Sequence, residues 1–122
     1  IDARVMNTTN IDFPDTSFDA VYAHLSLHYF DDATTEAIFQ NIRRMLKPNG
    51  LFFVRCKSTK DVFFGEGERV GENMFLRGHL RHFFTPDYMR KQLKDFEVLL
   101  LEETTAEYNG RISAFVEAVA RK

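Results

Sequence analysis

Apolar positions along the chain follow two rhythms, and the change from one to the other sets the element order. Ala3, Arg4, Val5 and Met6 read as a short strand that runs into a polar loop, Asn7 to Asn10. Phe13-Pro14-Asp15-Thr16-Ser17 has the composition of a turn. Residues 18 to 25 then read as a buried strand carrying Val21, Tyr22, Ala23 and Leu25. Beyond Asp31 and Asp32, suited to cap open amides and to face the positive end of a helix, Ile38, Phe39, Ile42, Met45 and Leu46 recur at helical spacing. That helix should stop near Leu46, because Pro48 disfavours helix at Lys47 and Asn49-Gly50 accepts positive φ. Residues 51 to 56 form a Phe-rich apolar run, consistent with a central strand covered on both faces.

Residues 58 to 84 show neither rhythm and read as a long ordered excursion. A second helix starts where Thr85 caps, Pro86 takes the first helical position and Asp87 matches the dipole, with Tyr88, Met89 and Leu93 facing inward. Residues 96 to 105 and 112 to 120 read as strands joined by the turn signal Asn109-Gly110, so they should pair antiparallel. The order predicts an α/β fold in one domain over residues 1 to 122. Its sheet is expected to be mostly parallel, with a C-terminal hairpin adding an antiparallel edge strand.

Composition supports a packed core: 44% of the 122 residues are hydrophobic, and there are thirteen Phe and no Trp. Sixteen basic and eighteen acidic residues leave a formal charge of −2, which argues against a dedicated nucleic-acid binder. Local clusters at Arg43, Arg44 and Lys47, and at Arg77, Arg81, Arg90, Lys91 and Lys94, read as solvated faces. A single cysteine, Cys56, excludes an internal disulfide and suits a cytoplasmic setting; it sits in a buried strand pattern and reads as core rather than nucleophile. Purely apolar runs such as Leu51-Phe52-Phe53-Val54 are far too short for a membrane span.

Four stretches carry a family resemblance when taken in order. They are Ile11-Asp12-Phe13-Pro14-Asp15-Thr16-Ser17-Phe18-Asp19-Ala20-Val21, then Ala23-His24-Leu25-Ser26-Leu27-His28-Tyr29-Phe30, then Ile42-Arg43-Arg44-Met45-Leu46-Lys47-Pro48-Asn49-Gly50, and finally His82-Phe83-Phe84-Thr85-Pro86. Together they resemble the later half of class I S-adenosylmethionine-dependent methyltransferases, closest to the small-molecule group that includes tellurite-resistance methyltransferases. The resemblance implies a partial Rossmann-like sheet, the third to seventh strands of a seven-stranded one. The first two strands, with the glycine turn and the acidic ribose-binding residue, have no counterpart in this sequence.

That likeness also implies roles. Asn7 and Thr8 fall where the adenine amine and edge are met, Asn7 accepting through its side-chain oxygen. His24 and Leu25 would touch the cofactor, or else pack the strand end. His28 and Tyr29 would face the methyl acceptor, or else pack the helix start. His82 would close the pocket, act as a base, or serve structurally. Methyl transfer needs alignment more than a general base, so no catalytic dyad is required. The implied cofactor is S-adenosylmethionine and the implied partner a small-molecule methyl acceptor.

Other features carry less. Gly65-Glu66-Gly67-Glu68-Arg69-Val70-Gly71 misses dinucleotide spacing, and its carboxylates would repel an anion; it reads as a surface loop or a lid. His24 with His28, and His79 with His82, invite a metal reading that no Cys or helical His-Glu pattern supports, so no metal site is expected. Two further functions stand beside the enzyme, whose incomplete domain is expected to be inactive alone. One is a non-catalytic half-domain that self-associates through exposed sheet edges; the other is a metal-binding regulator built on the histidines.

Overall fold

A computed structural model describes residues 12–122. The strand expected over residues 3 to 6 lies outside the described residues. The first described strand, β1 (Phe18–His24), leads through a loop to helix α1 (Asp32–Met45) and then to β2 (Leu46–Lys57). The carboxylate of Asp31 accepts the Thr34 amide at 2.8 Å, so the cap forms where the two aspartates stand. The helix buries Thr35, Ile38, Phe39, Ile42 and Met45, the apolar stripe read from the sequence. It ends one residue before the Lys47-Pro48 step, and Asn49 takes a positive φ of 65°. Gly50 follows because the chain folds tightly there: a Cβ would come within 2.8 Å of the Lys47 carbonyl oxygen.

β1 and β2 run parallel, with Val21 opposite Phe52 and His24 opposite Arg55. Helix α2 (Pro86–Gln92) starts at the Thr85 cap and the Pro86 first turn, as the sequence predicts. It precedes strands β6 (Glu97–Tyr108) and β7 (Arg111–Arg121). Asn109 and Gly110 take φ values of 52° and 75°, the left-handed pair that closes a two-residue hairpin.

Two expectations about the sheet need correction. The order is β1-β2-β7-β6, so among its three ladders only β1–β2 is parallel; the sheet is mixed rather than mostly parallel. The reversed strand is also not at the edge. β7 lies between β2 and β6 and pairs antiparallel with both. The side chains explain the arrangement. β7 buries Ala114, Val116, Ala118 and Ala120 on one face and half-buries Phe115 and Val119 on the other. β6 carries Glu97, Glu102, Glu103 and Glu107, charges that suit an edge.

The excursion between β2 and α2 is more ordered than a loop. After a turn over residues 58 to 67 it forms a separate antiparallel sheet of β3 (Glu68–Gly71), β4 (Met74–Arg77) and β5 (His79–His82). Four-residue strands are too short to show a period, so the pattern hid them. Positive φ at Asn73 and Gly78 marks the two turns.

Both helices cover one face of the main sheet. Phe39, Phe52 and Phe84 meet there, with ring centroids 5.5 Å (Phe39–Phe52) and 6.4 Å (Phe39–Phe84) apart, joined by Leu46, Met89 and Leu93. Cys56 belongs to this core, and burial pushes its thiol well above the ordinary range, which keeps it unreactive. On the opposite face no described element covers Tyr22, Phe53, Leu100 and Val119, which line a shallow groove with Arg55 and Glu117. Phe39→Ala should destabilise the fold by about 3–5 kcal/mol in urea denaturation, because nothing nearby can collapse into the space. A loss below about 1 kcal/mol would mean that this aromatic cluster is not the core.

Candidate functional site

Parallel pairing brings the carboxyl ends of β1 and β2 to one rim. At the end of β1 the chain turns sharply: Leu25 has φ 55°, a left-handed conformation that costs about 1 kcal/mol or more for a residue with a branched side chain. Its amide is still spent on the Arg55 carbonyl at 2.9 Å, so the corner is held by the sheet itself. At the end of β2, Ser58 bridges to Phe84, and the Phe84 amide donates to the Lys57 carbonyl at 2.7 Å. The His82 amide donates to the His28 carbonyl at 2.9 Å. Three segments, residues 25 to 30, 57 to 59 and 82 to 84, are thereby knitted together over the strand ends.

His28 is only 1% exposed. Its Nδ1 accepts the Lys57 amide at 3.3 Å, which puts the ring proton on Nε2. That Nε2 is buried and has no hydrogen-bond partner among the described residues. Burial first, and the nearby Lys57 charge second, lower the His28 pKa to about 4, so the ring is neutral at physiological pH. Tyr29 lies tilted beside it, ring centroids 4.4 Å apart, and is 40% exposed. His24 sits on the uncovered face of β1, exposed and stacked with Tyr22 at 6.2 Å.

His82 is buried too, with the opposite tautomer. Its Nδ1 donates to the Phe30 carbonyl at 2.9 Å, leaving the Nε2 lone pair 3.7 Å from Asp32 Oδ1. Burial lowers its pKa, against the opposing pull of the Phe30 carbonyl and Asp32. Asp32 also accepts the Tyr88 hydroxyl at 2.6 Å, and burial and this carboxylate push the Tyr88 pKa up. Together with Glu72, Asn73, Thr85, Asp87 and Lys91, these three side chains line a cleft beside the start of α2.

Comparison with known proteins fits this rim. Residues 1–54 match the family model described as a methyltransferase domain. The chain is 33% identical over 104 residues to a sterol 24-C-methyltransferase of Gibberella zeae, covering 80% of this chain and 27% of that protein. The chain has the fold of the S-adenosylmethionine-dependent methyltransferases. In structure it is similar to a SAM-dependent methyltransferase from Methanosarcina mazei, with a TM-score of 0.80 and 21% identity, covering 98% of this chain and 66% of that one. An S-adenosylmethionine-dependent methyltransferase from Mesorhizobium loti gives 0.72 and 21%, covering 96% and 68%. The chain thus spans about a quarter of the curated relative and about two-thirds of these solved chains.

Within this fold the sequence-predicted residues divide into two groups. His24, Leu25, His28 and Tyr29 share one loop at the strand ends, whereas the His82 side chain turns toward Asp32 and the second cleft. Asn7 and Thr8 lie outside the described residues. No three His, Cys, Asp or Glu side chains among the described residues are placed to hold a metal ion. For a cofactor, one wall is present. The strained Leu25 corner and the exposed His24 and Tyr29 fit one side of a flat, polar ligand, with His28 buried beside Tyr29. Sequence reasoning placed Tyr88 in the inward stripe and missed its bond to Asp32. The signal was the paired Asp31-Asp32, where one carboxylate already suffices as cap.

His28 makes stability depend on pH. The folded state disfavours its protonated form, so its contribution is fully present above the unfolded value near 6.5 and is lost as pH falls toward about 4. Urea denaturation at successive pH values should show a loss of up to about 1.4 kcal/mol per pH unit from this residue in that window. In His28→Leu this part of the slope should vanish. An unchanged slope would mean that His28 is not held neutral.

Proposed function

We propose that this chain forms the acceptor-side part of a site that moves a methyl group from S-adenosylmethionine to a small molecule. The observation that carries the reading is the shared rim of β1 and β2, with a left-handed Leu25 and a buried His28 whose Nε2 proton has no partner among the described residues. The cofactor would bring a methyl group already activated by a sulfonium. What remains for the protein is alignment and exclusion of water.

In this reading His24 and Leu25 meet the cofactor edge, and Asn7 and Thr8 its adenine. His28 offers a fixed N–H donor to a buried acceptor atom, while Tyr29 supplies an aromatic wall on the open side. His82 has the tautomer of a base, with Nδ1–H locked on Phe30 and Nε2 unprotonated; it takes a proton from the acceptor or closes the pocket. The narrower likeness to the tellurite-resistance group rests on the four sequence stretches, and a cytoplasmic setting on the single buried Cys56. With one wall only, the chain alone is inactive and binds the cofactor weakly.

A second reading, a self-associating half-domain, is favoured by the uncovered groove of Tyr22, Phe53, Leu100 and Val119, with Tyr22 74% exposed. Sedimentation of the concentrated chain separates the two: a clean monomer counts against self-association.

The enzyme reading is tested by titrating the chain with S-adenosylhomocysteine while following backbone amide shifts. Shifts should cluster at residues 24 to 29, with a dissociation constant weaker than about 1 mM. Saturation without shifts in that loop, or no response at several times about 1 mM, would overturn it.

A further inference from the structure

The turn after β2 is pinned from below. The buried carboxylate of Asp61 accepts the Phe63 amide at 3.1 Å and the Ala114 amide at 2.9 Å, and lies 3.4 Å from the Lys57 ammonium. The Val62 amide donates to the Ile112 carbonyl at 2.9 Å, which ties the turn to the β6–β7 hairpin beside Arg111. Phe63 is thus fixed in place, and the Arg81 guanidinium lies 5.1 Å from the centre of its ring. In the small sheet Arg81 stands opposite Phe75 and Arg77 opposite His79, so the alternation of side chains sets Arg77 and Arg81 on one face. Phe63, Glu66, Arg77, Arg81 and Arg111 line a single cleft.

Its charge is out of balance. Glu66 pairs with Arg77 at 3.2 Å. Among the described residues no carboxylate lies within ion-pair distance of Arg81 or Arg111, and the nearby Lys57 is already taken by Asp61. Guanidinium forks converging beside an aromatic ring recognise planar or tetrahedral oxyanions, to which they offer paired N–H donors. The cleft also adjoins the rim. His79, across from Arg77, has its ring 5.5 Å from that of Tyr29.

We propose that this arginine cleft binds an oxyanion, a carboxylate or a phosphate ester, carried by the methyl acceptor. The acceptor half of that statement rests on the methyltransferase reading; the anion site does not.

The test is a titration of the whole chain at low ionic strength with inorganic phosphate and, separately, acetate, following arginine side-chain Nε–H resonances. Saturable shifts are expected at Arg77, Arg81 and Arg111 in the millimolar range, without comparable shifts at the exposed Arg90, which pairs with Asp87. Arg81→Gln with Arg111→Gln should weaken binding about tenfold, whereas Arg90→Gln should leave it unchanged. Saturation by phosphate alone assigns a phosphate ester, and saturation by acetate a carboxylate. Linear, unsaturated shifts with both anions, equal shifts at Arg90, or a double variant that binds like the parent would each overturn the proposal. Loss of the S-adenosylhomocysteine footprint at residues 24 to 29 with anion binding intact would instead count against the methyltransferase reading alone.

Discussion

The parallel ladder between β1 and β2 is the constraint on which the molecule's chemistry depends. It fixes both strand ends at the same height, so the loop that leaves β1 meets the turn that leaves β2. An antiparallel pairing would send residues 25 to 30 and residues 57 to 61 to opposite ends of the sheet, and His28 would lose the Lys57 amide that sets its tautomer. The parallel choice is enforced by α1, whose Ile38, Phe39, Ile42 and Met45 must lie on the sheet face that carries Phe52 and Val54.

Two histidines at this rim show how local geometry assigns chemistry. Both are buried, and burial makes both neutral. They differ in which nitrogen is engaged. A backbone amide donates to His28 Nδ1, so His28 presents a donor; a backbone carbonyl accepts from His82 Nδ1, so His82 presents an acceptor. A residue that gives a proton in a hydrogen bond and one that receives it therefore stand on adjacent segments, joined by the bond from the His82 amide to the His28 carbonyl.

Elements with a full period were legible from the sequence. The stripe of α1, the Thr85-Pro86 start of α2 and the Asn109-Gly110 hairpin each appear where the pattern put them. Strand order was not legible, because a hairpin signal says that β6 and β7 pair but not which of them joins β2. The decision comes from alternation: β7 buries an unbroken run of small apolar side chains, Ala114, Val116, Ala118 and Ala120, on its core face and goes inside, whereas β6, with its glutamates, stays at the edge. The strands β3 to β5 were too short to announce themselves. At the site, the family resemblance drew attention to the stretch His24 to Tyr29, but the opposite tautomers of His28 and His82 depend on backbone groups far away in sequence, which no local motif encodes.

The direction of the β1–β2 ladder can be measured directly by a nuclear Overhauser map of the chain in solution. Parallel pairing should give amide-to-Hα contacts between residues 20–24 and 51–55, in the register that sets Val21 beside Phe52, and no short Hα–Hα contacts between those segments. Short Hα–Hα contacts there would show the strands running in opposite directions and would contradict the shared rim.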